Sequence, residues 1–362
     1  MSPFEGRGSR NRRCGPLQGE KVQGDKPDAK GGKGGGDRGL RKRLRRNEEE
    51  LPKLTAEGRP PEGEEYPLPP ELSFDWREAH DDIVNEIRWH LKNTGADKIV
   101  IGLSGGVDSS LSLYLAVKSV GLENVIAMFL PEAGVTPDYD EEDAKAVAGL
   151  LGVKLIIKEI SPLVEAFSQA INELRANSLA LANVKARIRM ILLYAEANLI
   201  GRAQVLGTSD KSELLLGYTT KYGDSGADFM PIGDLYKSQV RYMASKVGLP
   251  KRVWLKPPSP QLIKGKSAQS ELGLPYEVLD RLLYYRVDQR YPEEKIAKIL
   301  SLPVETVNRY SMMIVKSDHK RKAPPIGKIG GATINMDWRM PIERRVIKKR
   351  ALISLFCSGK RE

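Results

Sequence analysis

Residues 104–110 read SGGVDSS and lie between the apolar run KIVIGL and an amphipathic stretch that closes on Gly121. A Gly-rich turn leading from a strand end into a helix start aims several free backbone N–H groups at one point, where an anion is favoured. Gly105 and Gly106 let a ligand approach the backbone closely, and Ser104, Ser109 and Ser110 add hydroxyl donors. Asp108 would repel a phosphate unless a divalent cation stood between them, so its presence implies Mg²⁺. The stretch is neither the lysine-containing GxxxxGKS/T loop nor GxGxxG, and both of the usual nucleotide fingerprints fail. The bland alternative is a helix capped by Ser and Asp after a Gly turn. The complete strand, loop and helix context weighs against that alternative.

The elements around the loop follow from periodicity. FDWREAHDDIVNEIRWHLKNTG carries apolar residues at helical spacing and ends on Gly95. KIVIGL reads as a short buried strand, followed by a helix over about Ser109 to Val120. Strand VIAMFLP, helix DEEDAKAVAGLLG and strand KLIIKEI come next. The helices PLVEAFSQAINEL and LALANVKARIRMILLYAEANLIG then lead to AQVLGTSD, a strand ending in a polar turn. Strand and helix alternate, which predicts a doubly wound α/β domain with a mostly parallel sheet. Beyond Met230 the pattern is mainly helical, in DLYKSQVRYMASKVG, YEVLDRLLYYRVD and PEEKIAKILSL around the Pro-rich KPPSP.

Composition sets the limits of this domain. The 362 residues carry a net charge of +11, of which residues 1–71 hold +3 and residues 316–362 hold +9, leaving the body at −1. Residues 1–46 contain fourteen Lys/Arg against five Asp/Glu, with GGKGGG among them, and the chain then turns acidic around NEEE and EGEE. Such a segment cannot build a core. We therefore expect a disordered charged extension over 1–71, a folded domain over 72–327 and a basic tail over 328–362. No apolar run approaches a membrane span and no apolar stretch follows the early arginines, so a cytoplasmic location without membrane attachment is expected. Both cysteines, Cys14 and Cys357, fall in the tails. That excludes a disulfide framework, a Cys/His metal cluster and a cysteine nucleophile within the body.

SGGVDSS matches the loop of the ATP pyrophosphatases, which adenylate an oxygen of their substrate and release pyrophosphate. The downstream segment LGTSDKSELLLGYTTKYGDSGADFMPIGDLYKSQV closely resembles ammonia-dependent NAD synthetases, and NVKARIRM, KPPSP and DHKRKAP occur in the expected order. The likeness runs from about Asp81 to Pro325. It implies an adenine nucleotide α-hydrolase-like fold and a homodimer with the dinucleotide site near the subunit interface. The implied reaction is amidation of deamido-NAD by ammonia, with ATP as co-substrate and Mg²⁺ as cofactor. By the same resemblance, ATP is held by Gly102, Leu103, Ser104, Gly105, Gly106, Val107, Asp108, Ser109 and Ser110, with Thr208, Lys237 and Ser259. Asp108 and Glu213 match the Mg²⁺ ligands. Asp210 and Glu213 also have capping-box spacing, a purely structural reading of the same glutamate. Arg187, Lys221, Asp228, His319 and Lys320 match the deamido-NAD contacts. Arg187 and Arg189 are two positions apart, about 200° around a helix, so only one can face a given site, and the match selects Arg187. Asp224 is a candidate for holding ammonium or accepting its proton, alongside a simple turn role.

The chain departs from the family pattern in two places. Thr219 stands where an aromatic is usual, and Ala268 and Gln269 replace two acids. Other function classes stay open on these residues: another ATP pyrophosphatase, such as an asparagine or GMP synthetase relative or a tRNA-modifying enzyme, and a nucleotide- or RNA-binding protein driven by its basic ends. Thiolation chemistry and an in-chain cysteine glutaminase are disfavoured by the missing body cysteines. Nucleic acid is not the expected partner; ammonia should come from solution or from a separate protein.

Overall fold

The computed structural model describes residues 65–257 and 272–334. Four short strands, β1 (Lys98–Gly102), β2 (Val125–Phe129), β3 (Lys154–Ile157) and β4 (Ala203–Leu206), form one sheet in the order β3-β2-β1-β4. Every pairing is parallel, with Ile99 opposite Val125, Ile126 opposite Lys154 and Lys98 opposite Ala203. The chain leaves β1 toward β2 on one side and returns on the other side as β4. Sequence order therefore reverses between β1 and β4, and ligands of doubly wound sheets bind at the carboxyl ends of such strands.

Strand alternation divides the core into two layers. Ile99 and Ile101 of β1 join Val125, Ala127 and Phe129 beneath helices α1 (Trp76–Thr94), α2 (Val107–Val120) and α3 (Asp138–Leu151). Val100, Met128 and Val205 face α4 (Ser161–Ala170) and the long α5 (Ser178–Ile200) on the opposite side. The KIVIGL run is apolar throughout because both its faces are covered. Helix α1 is capped by Asp75, whose side chain accepts the Arg77 and Glu78 N–H groups, and ends on left-handed Gly95.

After β4 come α6 (Lys211–Leu216), α7 (Lys237–Lys246) and α8 (Lys251–Leu255). Phe229 makes a parallel bridge to Leu206, and Asp228 N donates to Val205 O, which lays residues 228–229 beside β4 as a short extra edge. A C-terminal helical layer follows: α9 (Tyr276–Val287), α10 (Glu293–Leu300), α11 (Val304–Lys316) and α12 (Asp318–Arg321). It has its own core, built on Leu279, Leu282, Leu283, Ile296, Val307 and Tyr310. Helix α11 was not predicted. Its N-cap position is Pro303, which makes no side-chain cap, so the usual start signal is missing.

The structure moves one expected boundary. Residues 65–71, assigned to the charged extension, pack onto the body. Tyr66 is buried, its N–H donates to Ser245 Oγ, and its hydroxyl is held between Glu277 and Arg241. Glu71 accepts two hydrogen bonds from Arg281 and one from Tyr285. The Pro-rich, acidic composition hid one buried aromatic anchor. Residues 1–64 and 335–362 lie outside the described residues.

Candidate active site

The carboxyl ends of β1 and β4 open into a cavity of about 290 Å³. Its floor is the 103–109 loop. The φ of Gly105 is +77°, and a Cβ there would collide with the backbone carbonyl of Asp140, so the tight turn requires glycine. Ser109 Oγ donates to Gly106 O and accepts from Ser104 N, each at 3.1 Å. Ser110 Oγ donates to Gly106 O at 2.8 Å. Two of the serines expected to greet a phosphate thus spend their hydroxyl protons holding the loop, and Ser110 is fully buried beneath it. Helix α2 starts at Gly106 without any side-chain cap, which leaves its first-turn N–H groups directed at the cavity. Gly102, Leu103, Ser104, Gly106, Val107, Asp108 and Ser109 line the space; Gly105 and Ser110 support the loop from behind.

Above the loop sits Lys237, at the start of α7 and completely buried. Its Nζ lies 2.7 Å from Asp108 Oδ2, 2.9 Å from Asp210 Oδ2 and 2.8 Å from Glu213 Oε1. Burial alone would lower the lysine pKa, but the three carboxylates more than reverse this and hold it well above the ordinary range. Burial raises the Asp210 carboxyl to about 6 and pushes Glu213 well up, despite the lysine. Three carboxylates around one ammonium leave the cluster with an excess of acceptors. Asp108 Oδ1 is buried without a hydrogen-bond partner, so Asp108 keeps an oxygen to offer a cation. Among the described residues no group of three or more His, Cys, Asp or Glu side chains could hold a metal by itself. Two carboxylates completed by substrate oxygens and water is the arrangement Mg²⁺ ordinarily accepts, so Asp108 and Glu213 fit it.

Helix α6 supplies Glu213 through the capping box read in the sequence: Asp210 Oδ1 accepts Glu213 N at 2.8 Å, and Glu213 Oε2 faces Asp210 N at 3.5 Å. The cap uses Glu213 Oε2, and Oε1 faces Lys237. Thr208 lines the cavity on the turn after β4. Ser259, Ala268 and Gln269 lie outside the described residues.

The far wall carries Asp224 and Arg189. Asp224 Oδ1 accepts Thr220 N at 2.6 Å, and burial raises its pKa, partly offset by Lys320 and Arg189. Arg189 donates to Leu130 O at 3.0 Å; burial lowers its pKa, with Glu132 and Asp224 opposing. The two arginines of NVKARIRM diverge as helical geometry requires. Arg189 lines the cavity, while Arg187 is exposed and donates through Nε and Nη2 to Lys221 O at 3.3 Å. Sequence reasoning set Arg189 aside; the small Ala186 and apolar Met190 on its side of α5 were the signal that this face lines a cleft.

A second cavity of about 460 Å³ adjoins the first, sharing Met190 and Gly226, and is lined by Lys221, Tyr222 and Lys320. Lys320 Nζ donates to Gly217 O and Thr219 O, at 2.6 and 2.7 Å. Asp228 is exposed and lines neither cavity; it accepts from Val205 N and the Tyr194 hydroxyl. His319 is exposed on α12 and lines neither space. Asp210, Lys256 and Arg189 went unread in the sequence as site residues; Lys256 pairs with Asp140 and Asp143 at the cavity mouth.

A family model described as NAD synthase matches residues 79–324. The NH(3)-dependent NAD(+) synthetase of Hyperthermus butylicus is 43% identical over 254 residues, covering 70% of this chain and 91% of the relative. That of Saccharolobus solfataricus is 41% identical over 272 residues, 75% and 96% of the two chains. Among solved structures, NMN synthetase from Francisella tularensis superposes with a TM-score of 0.62 at 29% identity, covering 71% of this chain and all of the other. NH3-dependent NAD synthetase from Campylobacter jejuni gives 0.59 at 29% identity, with the same coverage. The family model spans more than half of the chain and the relatives are matched over nearly their whole length, so the chain belongs to the NAD synthase family.

Proposed function

We propose that this protein is an ammonia-dependent ligase that amidates deamido-NAD to NAD, converting ATP to AMP and pyrophosphate. The nicotinate carboxylate oxygen attacks the α-phosphorus, the bond to the bridging oxygen breaks and pyrophosphate leaves. Ammonia then adds to the acyl carbon of the adenylate, loses a proton and expels AMP. The observation that carries this reading is the contact of Lys237 with Asp108, Asp210 and Glu213 beside the uncapped start of α2.

The chain's own groups divide the work. First-turn N–H groups of α2 and the Ser104 side chain would receive the triphosphate, with Thr208 at its reacting end, while Lys237, buried and outside the cavity lining, acts there through Asp108 and Glu213. Asp108 and Glu213 would hold Mg²⁺, which neutralises phosphate oxygens when bound. Asp224, on the cavity's far wall, would accept the ammonium proton. The apolar wall of Met128, Leu193 and Val205 keeps water from the adenylate. Lys221 and Lys320, which line the second cavity, would take the dinucleotide, with Arg187 beside them at Lys221 O; Asp228 and His319 line neither cavity and join the site only through the family match. A homodimer accords with the exposed Leu163, Phe167, Leu179, Ile191 and Leu199 on α4 and α5. A cytoplasmic location accords with the finding that no described helix is long and apolar enough to cross a membrane.

The test is release of AMP and pyrophosphate from ATP with NH₄Cl and either deamido-NAD, nicotinate mononucleotide, XMP or no acceptor. Deamido-NAD should stimulate most. Stimulation by XMP alone would refute the reading, and the mononucleotide arm separates this chain from the NMN synthetase it resembles in fold.

A further inference from the structure

Helix α9 belongs to the C-terminal helical layer, yet it reaches the catalytic cluster through a fully buried carboxylate, Asp280. Its Oδ1 accepts from Ser212 Oγ at 2.6 Å, and its Oδ2 accepts from both Ser238 N and Ser238 Oγ at 2.7 Å. Ser212 Oγ in turn accepts the backbone N–H of Lys237 at 3.1 Å. Ser212 immediately precedes Glu213 and Ser238 immediately follows Lys237. One side chain therefore gathers the first turns of α6 and α7, whose orphan N–H groups need partners. One helical turn earlier on α9, the Tyr276 ring lies 5.5 Å from Lys237 Nζ, so positions i and i+4 of α9 address the same place.

We propose that Asp280 is a positioning residue for the amidation: by tying Ser212 to Ser238 it fixes the distance between Glu213 and Lys237. It does not line the cavity, so it acts through the two serines and never on substrate. A buried carboxylate is a poor way merely to fill a core, since its desolvation is costly and an apolar side chain would pack there at less expense. What it adds is direction: three donors converge on one rigid acceptor pair, and displacement of a reacting group by about 1 Å costs about 100-fold in rate.

The inference rests on the proposed ligase activity for its readout. Steady-state NAD formation by the full chain would be measured for wild type, Asp280→Asn, Ser212→Ala, Ser238→Ala and Leu283→Ala, together with the Tm of each. Leu283 is an equally buried apolar neighbour on α9 and serves as the packing control. Asp280→Asn should lower kcat about 10- to 100-fold while KM for ATP and deamido-NAD stays within about threefold. The serine variants should lower kcat by about 3- to 10-fold each, with the same KM pattern. Leu283→Ala should lower Tm with kcat per folded molecule within about twofold of wild type. An Asp280→Asn kcat within twofold of wild type, or an equal fall in Leu283→Ala, would overturn the proposal. If Asp280→Asn does not fold, the serine pair decides: wild-type kcat in both overturns it. Wild-type turnover tests the ligase reading separately, and with a different preferred acceptor the same variant-to-wild-type ratios are read from pyrophosphate release.

Discussion

Asp210 and Glu213 each divide their two carboxylate oxygens between the same two tasks: one caps the partner's backbone N–H, and the other contacts Lys237 Nζ, at 2.9 Å from Asp210 and 2.8 Å from Glu213. The cap therefore locks the rotamers that make the cage. Glu213→Gln keeps the shape and the cap but removes the charge, so it should depress kcat strongly with little loss of Tm. Lys237→Ala should do more, because it strands three carboxylates in a buried site. Removing one partner of a buried ion pair costs about 3–5 kcal/mol, and thermal unfolding of the two variants should separate them accordingly. Equal Tm values would mean that the cage contributes nothing to the fold.

Asp108 should behave differently again. It sits in the first turn of α2, where its Oδ2 meets Lys237 Nζ at 2.7 Å and its Oδ1 has no partner. Ser104, Ser109 and Gly106 hold the loop before it, and Asn keeps the side chain's shape. Asp108→Asn should abolish Mg-ATP turnover while Tm changes by only a few degrees. Near wild-type kcat at millimolar Mg²⁺ would remove Asp108 from the site.

The loop, the sheet and the capping box were legible in the sequence because each is a local pattern: glycines where the backbone needs them, β-branched runs, and a carboxylate three residues after another. Ser212, Asp280 and Lys237 as a unit were not legible, since Asp280 is 68 positions from Ser212 and only folding brings them together. The start of the domain was misread for the opposite reason. Composition averaged over residues 47–71 is acidic and Pro-rich, and no average reveals a single buried Tyr66.

That anchor gives a stability prediction. Tyr66 is buried, edge-on to Trp254, and its hydroxyl meets Arg241, whose Nη2 also donates to Lys256 O at the end of α8. Tyr66→Ala should cost about 3–5 kcal/mol, read as a fall in Tm and in the urea midpoint. A chain beginning at residue 73 should show at least the same loss, and an unchanged midpoint in both would show that the strap is ornamental to the fold.

Asp280 should also make stability depend on pH. Burial raises its carboxyl to about 7, against the pull of Ser212 and Ser238, whereas in the unfolded chain it titrates near the ordinary value of about 3.9. With the folded pKa above the unfolded one, the contribution is fully present below about pH 4 and is lost as pH rises through about 7. The stability of wild type relative to Asp280→Asn should fall by on the order of 2–3 kcal/mol between pH 5 and pH 8. Urea midpoints of both proteins across that range give the difference directly, and a flat difference would contradict the assignment.

The two arginines of α5 provide the sharpest separation of recognition from scaffold. Arg187 is exposed and reaches Lys221 O, on the side of the second cavity, whereas Arg189 is half-buried on the first cavity's wall, donating to Leu130 O and facing Glu132 and Asp224. Arg187→Ala and Lys221→Ala each remove a charged contact to the dinucleotide under the proposed function. A charge-assisted hydrogen bond of about 1.5–3 kcal/mol corresponds to about 10- to 150-fold in affinity, so KM for deamido-NAD should rise by that order while KM for ATP barely moves. Arg189→Ala should instead lower Tm and kcat together, because it leaves the Leu130 carbonyl without its donor and removes a positive charge facing Glu132 and Asp224 on the cavity wall. If Arg187→Ala leaves the deamido-NAD KM within about twofold and Arg189→Ala raises it selectively, dinucleotide recognition belongs to the inward-facing arginine. The side of α5 that looks into the cleft would then bind the substrate as well as wall it in.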